Sequence, residues 1–138
     1  MKTLSELEAM DDDELRVMLA EARGYRWSRD DQSGRIILHR RHAGNDWTGC
    51  ERPSLSELDS PDLDDVPKWP EDLNACHAVF KTLDYDQSER FEDNLCDVSK
   101  RDNERSDNPY QWRVAVTNAT ARQRTIALIL TLQQEEAK

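Results

Sequence analysis

The stretch RTIALILTLQQ, residues 124–134, would carry apolar side chains around most of the circumference of a helix. A helix of this kind has a broad apolar face that must be largely buried against other elements. Thr120 and Gln123 precede the stretch with the spacing of a capping box, in which two side chains satisfy free backbone amides at a helix start. The sequence therefore predicts a buried helix from about residue 121, and we expect it to pack across a sheet.

Two further helix starts are predicted upstream. Thr3 and Glu6 also have capping-box spacing, and Asp11 and Glu14 place acids in a first turn, where the helix dipole favours negative charge. Gly24 is a natural end for the second of these helices, because glycine adopts the left-handed conformation that follows many helices. An apolar stripe at helical spacing lies between these signals and comprises Leu15, Met18, Leu19 and Ala22.

Residues 25–28 (YRWS) and 35–41 (RIILHRR) have the composition of β-strands, and the turn-forming residues 29–34 (RDDQSG) separate them. We therefore predict a β-hairpin. Strand alternation divides the basic side chains of the second strand between its two faces. One face carries Arg35, Ile37, His39 and Arg41, and the other carries Ile36, Leu38 and Arg40.

The rest of the chain predicts a long acidic loop at about 42–69, a helix from Pro70 to about residue 83, and strands at about 89–98 and 110–116. The order α-β-β-α-β-β-α predicts one α+β domain over residues 1–138, with an antiparallel sheet of about four strands sandwiched between helices. Leu73 and Phe80 are expected to pack on that sheet. The other expected core residues are Leu15, Leu19, Trp112, Val114, Ile126 and Leu130.

The composition is strongly acidic, since 29 Asp and Glu against 19 Lys and Arg give a formal net charge of −10. A surface of this sign repels nucleic acid and attracts basic surfaces. No apolar run approaches the roughly 20 residues that span a bilayer, and no signal-peptide pattern is present. Three cysteines without a CxxC pair predict reduced thiols in a cytoplasmic protein.

Motifs that would indicate an enzyme are missing from the sequence, which contains no GxSxG, Walker loop, HExxH or GxGxxG. His39, His42 and Cys50 match no common zinc-binding spacing. We therefore expect a binding protein rather than an enzyme, with no cofactor and no metal.

Three segments resemble the phage ABA-sandwich domain family of small phage and prophage proteins. They are LSELEAMDDDELRVMLAEARGYRW (4–27), VPKWPEDLNACHAVFKTL (66–83) and VAVTNATARQRTIALILTL (114–132), in the order of the family. The family's usual serine at the second helix is Pro70 here, and the polar inserts at 42–66 and 99–108 are long. The resemblance implies a sheet between helices and a phage origin, and it supplies no catalytic residues. The matching positions are Leu7, Met10, Glu14, Leu15, Gly24, Tyr25, Trp27, Pro67, Trp69, Asp72, Leu73, Phe80, Ala119, Thr120 and Ala121.

Clustered acids are the main functional signal, because an array of carboxylates can imitate the phosphates of DNA and occupy a basic groove. We expect an anti-defence, anti-CRISPR-like inhibitor that covers a basic surface of a host defence protein or ribonucleoprotein, without direct nucleic-acid or membrane binding. Trp69 is the expected apolar anchor, and a homodimer is left open. The expected contact residues are Glu57, Asp59, Asp62, Asp64, Asp65, Trp69, Asp84, Asp86, Glu92 and Asp93.

Residues 26–47 are rich in arginine and histidine, and we call them the basic segment. They support an alternative, an oligomeric sponge that sequesters a nucleotide second messenger. Arginines would bind the phosphates and a tryptophan would stack on the base. The residues of this alternative site are Arg26, Trp27, Arg35, His39, Arg40, Arg41 and Trp47. A structural phage accessory protein is the third interpretation.

Overall fold

The computed structural model describes residues 2–40, 47–53, 63, 66–100 and 118–136, and it shows a mixed α+β architecture. The strands form a small antiparallel sheet, and helices make up most of the rest. The helices are α1 (Leu4–Glu8), α2 (Asp12–Ala22), α3 (Leu73–Phe80), α4 (Tyr85–Lys100) and α5 (Ala121–Glu136), with a 3-10 helix at Trp69–Glu71. The strands are β1 (Arg26–Asp30), β2 (Ile36–His39) and β3 (Trp47–Gly49).

The predicted caps of the first two helices are confirmed. At α1, Thr3 Oγ1 accepts from the Glu6 amide and Glu6 Oε1 accepts from the Thr3 amide, each at 3.2 Å. At α2, Asp11 Oδ1 accepts from the Glu14 amide at 2.8 Å. Gly24 then has φ +89°, a backbone conformation that favours glycine, and the chain leaves the helix for β1. Short-range hydrogen bonding thus fixes this part of the chain much as its sequence predicts.

The hairpin is also confirmed, with β1 and β2 antiparallel and Trp27 opposite Leu38. Its turn is closed by Asp30, whose carboxylate accepts from Ser33 Oγ at 2.8 Å, and by Gly34 at φ +72°. β3 pairs with the other edge of β1, which gives the strand order β2-β1-β3. This third strand lies in the segment that was predicted as a loop. The sequence did not reveal it, because three residues are too few to show an alternating pattern. The strand predicted at 110–116, with Trp112 and Val114, lies outside the described residues.

The strand predicted at 89–98 is wrong, because these residues lie within α4 and are helical. Phe91, Leu95 and Val98 have the i, i+4, i+7 spacing of one helix face, and all three are buried. The start of the helix is capped by Asp84, which accepts from the Gln87 amide at 2.8 Å, while Gln87 Oε1 accepts from the Asp84 amide at 3.0 Å. The Asp-x-x-Gln spacing was the sequence signal for this helix.

The predicted helix after Pro70 is present but begins later. Pro70 lies in the 3-10 helix, and Asp72 caps α3 by accepting from the Asn74 amide at 2.9 Å. Leu73 is 53% exposed, so its predicted burial on the sheet is wrong. The inward face of α3 is set by Cys76 and Val79, and Leu73 lies to one side of it.

α5 is the centre of the helical layer. It packs along α4 and also contacts α1, α2, α3 and the 3-10 helix. The predicted burial of this helix is confirmed, although its main contacts among the described elements are with helices rather than with the sheet. Leu130, expected to be buried, is only partly so. The fully or nearly fully buried α5 side chains are Thr125, Ile126, Ala127, Leu128, Ile129 and Thr131.

Buried and partly buried polar contacts set how neighbouring segments lie on this helical layer. Asn94 of α4 donates from Nδ2 to Thr131 Oγ1 of α5 at 3.0 Å and to Gln134 Oε1 at 3.3 Å. Arg122 of α5 pairs with Asp12 at 2.6 Å and donates to the Glu8 carbonyl at 3.0 Å. These bonds restrict the register between elements, since a shift would leave buried polar groups unpaired.

Arg16 of α2 binds the described residues near the C-terminal end of the segment that was predicted as an acidic loop, 42–69. Its guanidinium donates to the carbonyls of Leu63 at 2.7 Å, Val66 at 3.0 Å and Pro67 at 3.2 Å. A planar group with several fixed donors suits this task. The sequence did not single out Arg16, because its partners are distant along the chain.

Truncation of Leu128 and of Leu73 to alanine should have very different effects on stability. Leu128 is 0% exposed in α5, so Leu128→Ala should lower the free energy of unfolding by about 2–5 kcal/mol. Leu73→Ala removes the same atoms from an exposed position and should change stability by less than about 0.5 kcal/mol. Urea denaturation followed by circular dichroism measures both, and equal losses for the two variants would contradict this view of the core.

Candidate functional site

The exposed side of α4 carries five carboxylates, which we call the acidic face: Asp86, Glu89, Glu92, Asp93 and Asp97. At 3.6 residues per turn they fall within an arc of about 140° on the helix surface. The same helix buries Phe91 and Leu95 on its opposite side. The structure therefore brings Asp86, Glu92 and Asp93, three of the predicted contact residues, together on one rigid surface.

Tyr85 lies at the beginning of the acidic face and is 76% exposed. Its pKa is raised, first by a hydrogen bond with Glu89 and then by the negative charge of that carboxylate. A large exposed aromatic ring beside charged groups is typical of the anchors of protein interfaces. Tyr85 was not among the residues predicted from the sequence, although an aromatic residue at the first position of an acidic helix was a usable signal.

Other residues predicted to contact a partner are placed differently. Asp84 is exposed but caps α4. Trp69 is 1% exposed, packs edge to face on Tyr25 with ring centroids 6.1 Å apart, and has the Arg23 guanidinium 5.9 Å from its ring centre. The prediction that Trp69 is an exposed anchor is therefore wrong, since the ring belongs to the core. Glu57, Asp59, Asp62, Asp64 and Asp65 lie outside the described residues.

The basic segment does not form a continuous cradle in the described residues. Hairpin pairing places Arg26 and Arg35 on one face of the sheet and Arg29 and Arg40 on the other, all four exposed. Trp27 is buried at 7% exposure, so it offers no open surface for stacking on a base. Arg41 and the side chain of Trp47 lie outside the described residues.

His39, another residue of the predicted ligand site, is buried at 8% exposure with its Nε2 2.7 Å from Ser28 Oγ. A hydroxyl and an imidazole at this distance are the first two elements of a nucleophilic site. Ser28 is also buried, so a substrate would have to enter the interior of the protein to reach it. We therefore assign the pair a structural role as a cross-strand hydrogen bond.

A pocket of about 400 Å³ lies between α3, α4 and α5. Its apolar lining comes from Leu73, Phe80, Phe91 and Leu95, while Glu92 of the acidic face and Arg124 of α5 supply opposite charges. His77, also in the lining, stacks on Phe80 with ring centroids 6.2 Å apart. Pockets of this size accommodate small ligands or bulky side chains.

Cys76 lines the same pocket, and burial raises the pKa of its thiol, so the protonated form persists to higher pH. Its Sγ donates to the Trp69 carbonyl at 3.1 Å. The thiol is therefore part of the packing between the 3-10 helix and α5 rather than an activated nucleophile. Across the described ranges, no group of three or more His, Cys, Asp or Glu side chains is arranged to hold a metal ion.

Comparisons with known proteins add no family to these observations. No family model matches the chain, and no curated protein or solved structure matches it. Among the helices that the structure describes, none has the length and apolar character needed to cross a membrane. The fold and the acidic face are consequently interpreted from their own geometry.

Thiol accessibility provides a direct check of this region. Cys76 and Cys96 are buried and Cys50 is partly exposed, so a thiol-reactive dye at mildly alkaline pH should label one cysteine rapidly in the native protein. All three should react in denaturant. Cys50→Ser should abolish the rapid phase, and a rapid phase that persists in this variant would contradict the burial of Cys76 and Cys96.

Proposed function

We propose that this protein is a binding protein whose acidic face occupies a basic surface of a partner. The observation that carries the proposal is the set of five exposed carboxylates on one side of α4, with the exposed ring of Tyr85 beside them. The excess of acids over the whole chain, −10, adds long-range attraction toward a positively charged partner.

The spacing of the acidic face supports imitation of a nucleic-acid strand. From Asp86 to Asp97 the helix rises about 16.5 Å, at about 1.5 Å per residue, so the mean axial spacing of its five charges is about 4 Å. Phosphates along one strand of B-form DNA follow one another at about 3.4 Å of axial rise. A groove lined with Lys and Arg for a phosphate backbone would therefore meet a similar density of negative charge on α4.

The biological role that we propose is that of an anti-defence, anti-CRISPR-like inhibitor encoded by a phage or prophage. It would act in the host cytoplasm by covering a nucleic-acid-binding or assembly surface of a defence complex. Two sequence features support this role: the resemblance of three segments to the phage ABA-sandwich domain family and the acidic charge of the chain. The four-stranded sandwich that the resemblance implies is part of the same proposal.

The role can be tested in bacterial strains that each carry one defence system, with a phage against which that system protects. Expression of the protein should restore plaque formation on at least one strain. Replacing Glu89, Glu92 and Asp93 together with lysine should abolish this effect, because attraction becomes repulsion at an exposed helix face. Each attractive pair contributes about 0.2–1 kcal/mol, so reversal of three charges should weaken binding by about tenfold or more.

The matched control is a variant with Asp13, Glu51 and Glu71 replaced by lysine, three exposed acids on other segments. It changes the net charge by the same amount and should keep the plaque-restoring effect. Circular dichroism melting curves verify that both variants fold. Equal loss in both variants would show that net charge alone matters and would contradict the assignment to α4, whereas restoration by the protein on no strain would contradict the anti-defence role.

Free nucleic acid should not bind to the protein at physiological salt. The net charge of −10 opposes approach to phosphates, and the four described arginines of the basic segment are split between two faces of the sheet. Fluorescence anisotropy with labelled single-stranded and double-stranded DNA and RNA should show no submicromolar binding at about 0.15 M salt. Tight binding that Arg40→Ala removes would instead favour the basic segment as the functional site.

A further inference from the structure

The pocket between α3, α4 and α5 forms an apolar surface next to the acidic face, and the described residues leave it uncovered. Leu73 lines it and is 53% exposed, one of two large apolar side chains that the described residues leave open to solvent, the other being Tyr85. Phe80 and Phe91 meet with ring centroids 5.3 Å apart, yet α3 and α4 are not among the closely packed helix pairs of the described residues. The two helices therefore form the walls of a groove, with α5 contributing Arg124.

We propose that this groove receives the apolar side chains of a basic amphipathic helix of the partner, while the acidic face binds the basic side chains of that helix. The inference rests on the proposed function and specifies the kind of partner segment that the acidic face recognises. Docking of an amphipathic helix in an apolar groove is a recurring mode of peptide recognition.

Charge complementarity identifies this occupant. Glu92 lines the groove and also belongs to the acidic face, so the apolar and the acidic surfaces meet at one side chain. Glu89 lies about one helical turn before Glu92, and Asp93 directly follows it. Both side chains are exposed. A segment whose apolar residues enter the groove would place the residues flanking them against these carboxylates, where lysine and arginine are favoured.

The groove also has a preferred orientation for its occupant, because the two charged residues of its lining lie on different helices and have opposite sign. Glu92 is on α4 and Arg124 is on α5, where the Arg124 Nε also donates to the Ala119 carbonyl at 3.3 Å. The free carbonyls at the C-terminal end of a bound helix carry partial negative charge and suit the arginine side. The volume, about 400 Å³, is that of a site for bulky side chains such as leucine or phenylalanine rather than for a whole helix.

The probe for this proposal is a fluorescein-labelled lysine–leucine peptide of about 14 residues, or about four helical turns, with leucine on one face and lysine on the other. Anisotropy titration should show binding to the protein. A peptide with serine in place of leucine keeps the charge and should bind about tenfold more weakly or worse, since it cannot fill the groove. Equal binding of the two peptides would overturn the proposal, because charge alone would then account for it.

The matched protein variants are Asn74→Trp and Ala9→Trp. Asn74 is an exposed residue of α3, and Ala9 is the exposed C-cap of α1. Asn74 lines the groove, and an indole there should block its entrance and reduce binding of the lysine–leucine peptide by about tenfold or more. Ala9 lies at the end of α1, away from the groove lining, and its substitution should leave binding unchanged. Melting curves of the two variants confirm that each is folded.

The outcomes separate this inference from the function on which it rests. If the lysine triple variant at Glu89, Glu92 and Asp93 loses peptide binding while Asn74→Trp binds like wild type, the groove proposal is overturned and the acidic face stands. If neither variant changes binding, both proposals fail. If the wild-type protein does not bind the peptide, the groove proposal is overturned, and the acidic face is judged by the plaque assay alone.

Discussion

The burial of α5 is the constraint on which the rest of the described structure depends. This helix is apolar on nearly all sides, so it cannot remain at a surface and must be enclosed by other elements. α1, α2, α3, α4 and the 3-10 helix all contact it, which makes α5 the common support of segments that are far apart in the chain. The acidic face depends on this arrangement, because α4 presents its carboxylates outward only while Phe91 and Leu95 remain buried.

Hydrogen bonds then select one arrangement from the many that hydrophobic packing alone would tolerate. Asn94 with Thr131 relates α4 to α5, Arg122 relates α5 to the first two helices, and Arg16 fixes the chain before the 3-10 helix. Each of these side chains joins partners separated by tens of residues. For Asn94, which is buried, loss of its partners on α5 would leave a polar group without its hydrogen bonds, which costs about 1–3 kcal/mol.

The sequence predicted those elements whose causes are local. Capping pairs such as Thr3 with Glu6 and the turn before Gly34 act within a few residues, so the early helices and the hairpin were predicted closely. α4 was mistaken for a strand because spaced apolar residues such as Phe91 and Leu95 can satisfy more than one period over a short window. The burial of Trp69 could not be predicted, because its neighbours Tyr25 and Arg23 come from a distant segment. The acids could be recognised in the sequence as a candidate site. Their position on one face could not be predicted while residues 89–98 were taken for a strand, and the adjoining groove depends on how α3, α4 and α5 lie together.

The attachment of α4 to α5 also has a kinetic consequence. Carboxylates on a packed helix already hold their backbone positions before any encounter, so the association that we propose with a basic partner would need no ordering of a loop and would lose little backbone entropy. With the proposed partner, attraction over a Debye length, about 8 Å at physiological salt, would then act on a fixed pattern of charge and accelerate productive collisions. Residues of this face would influence mainly how fast a complex forms, whereas side chains in the apolar groove would influence mainly how long it lasts.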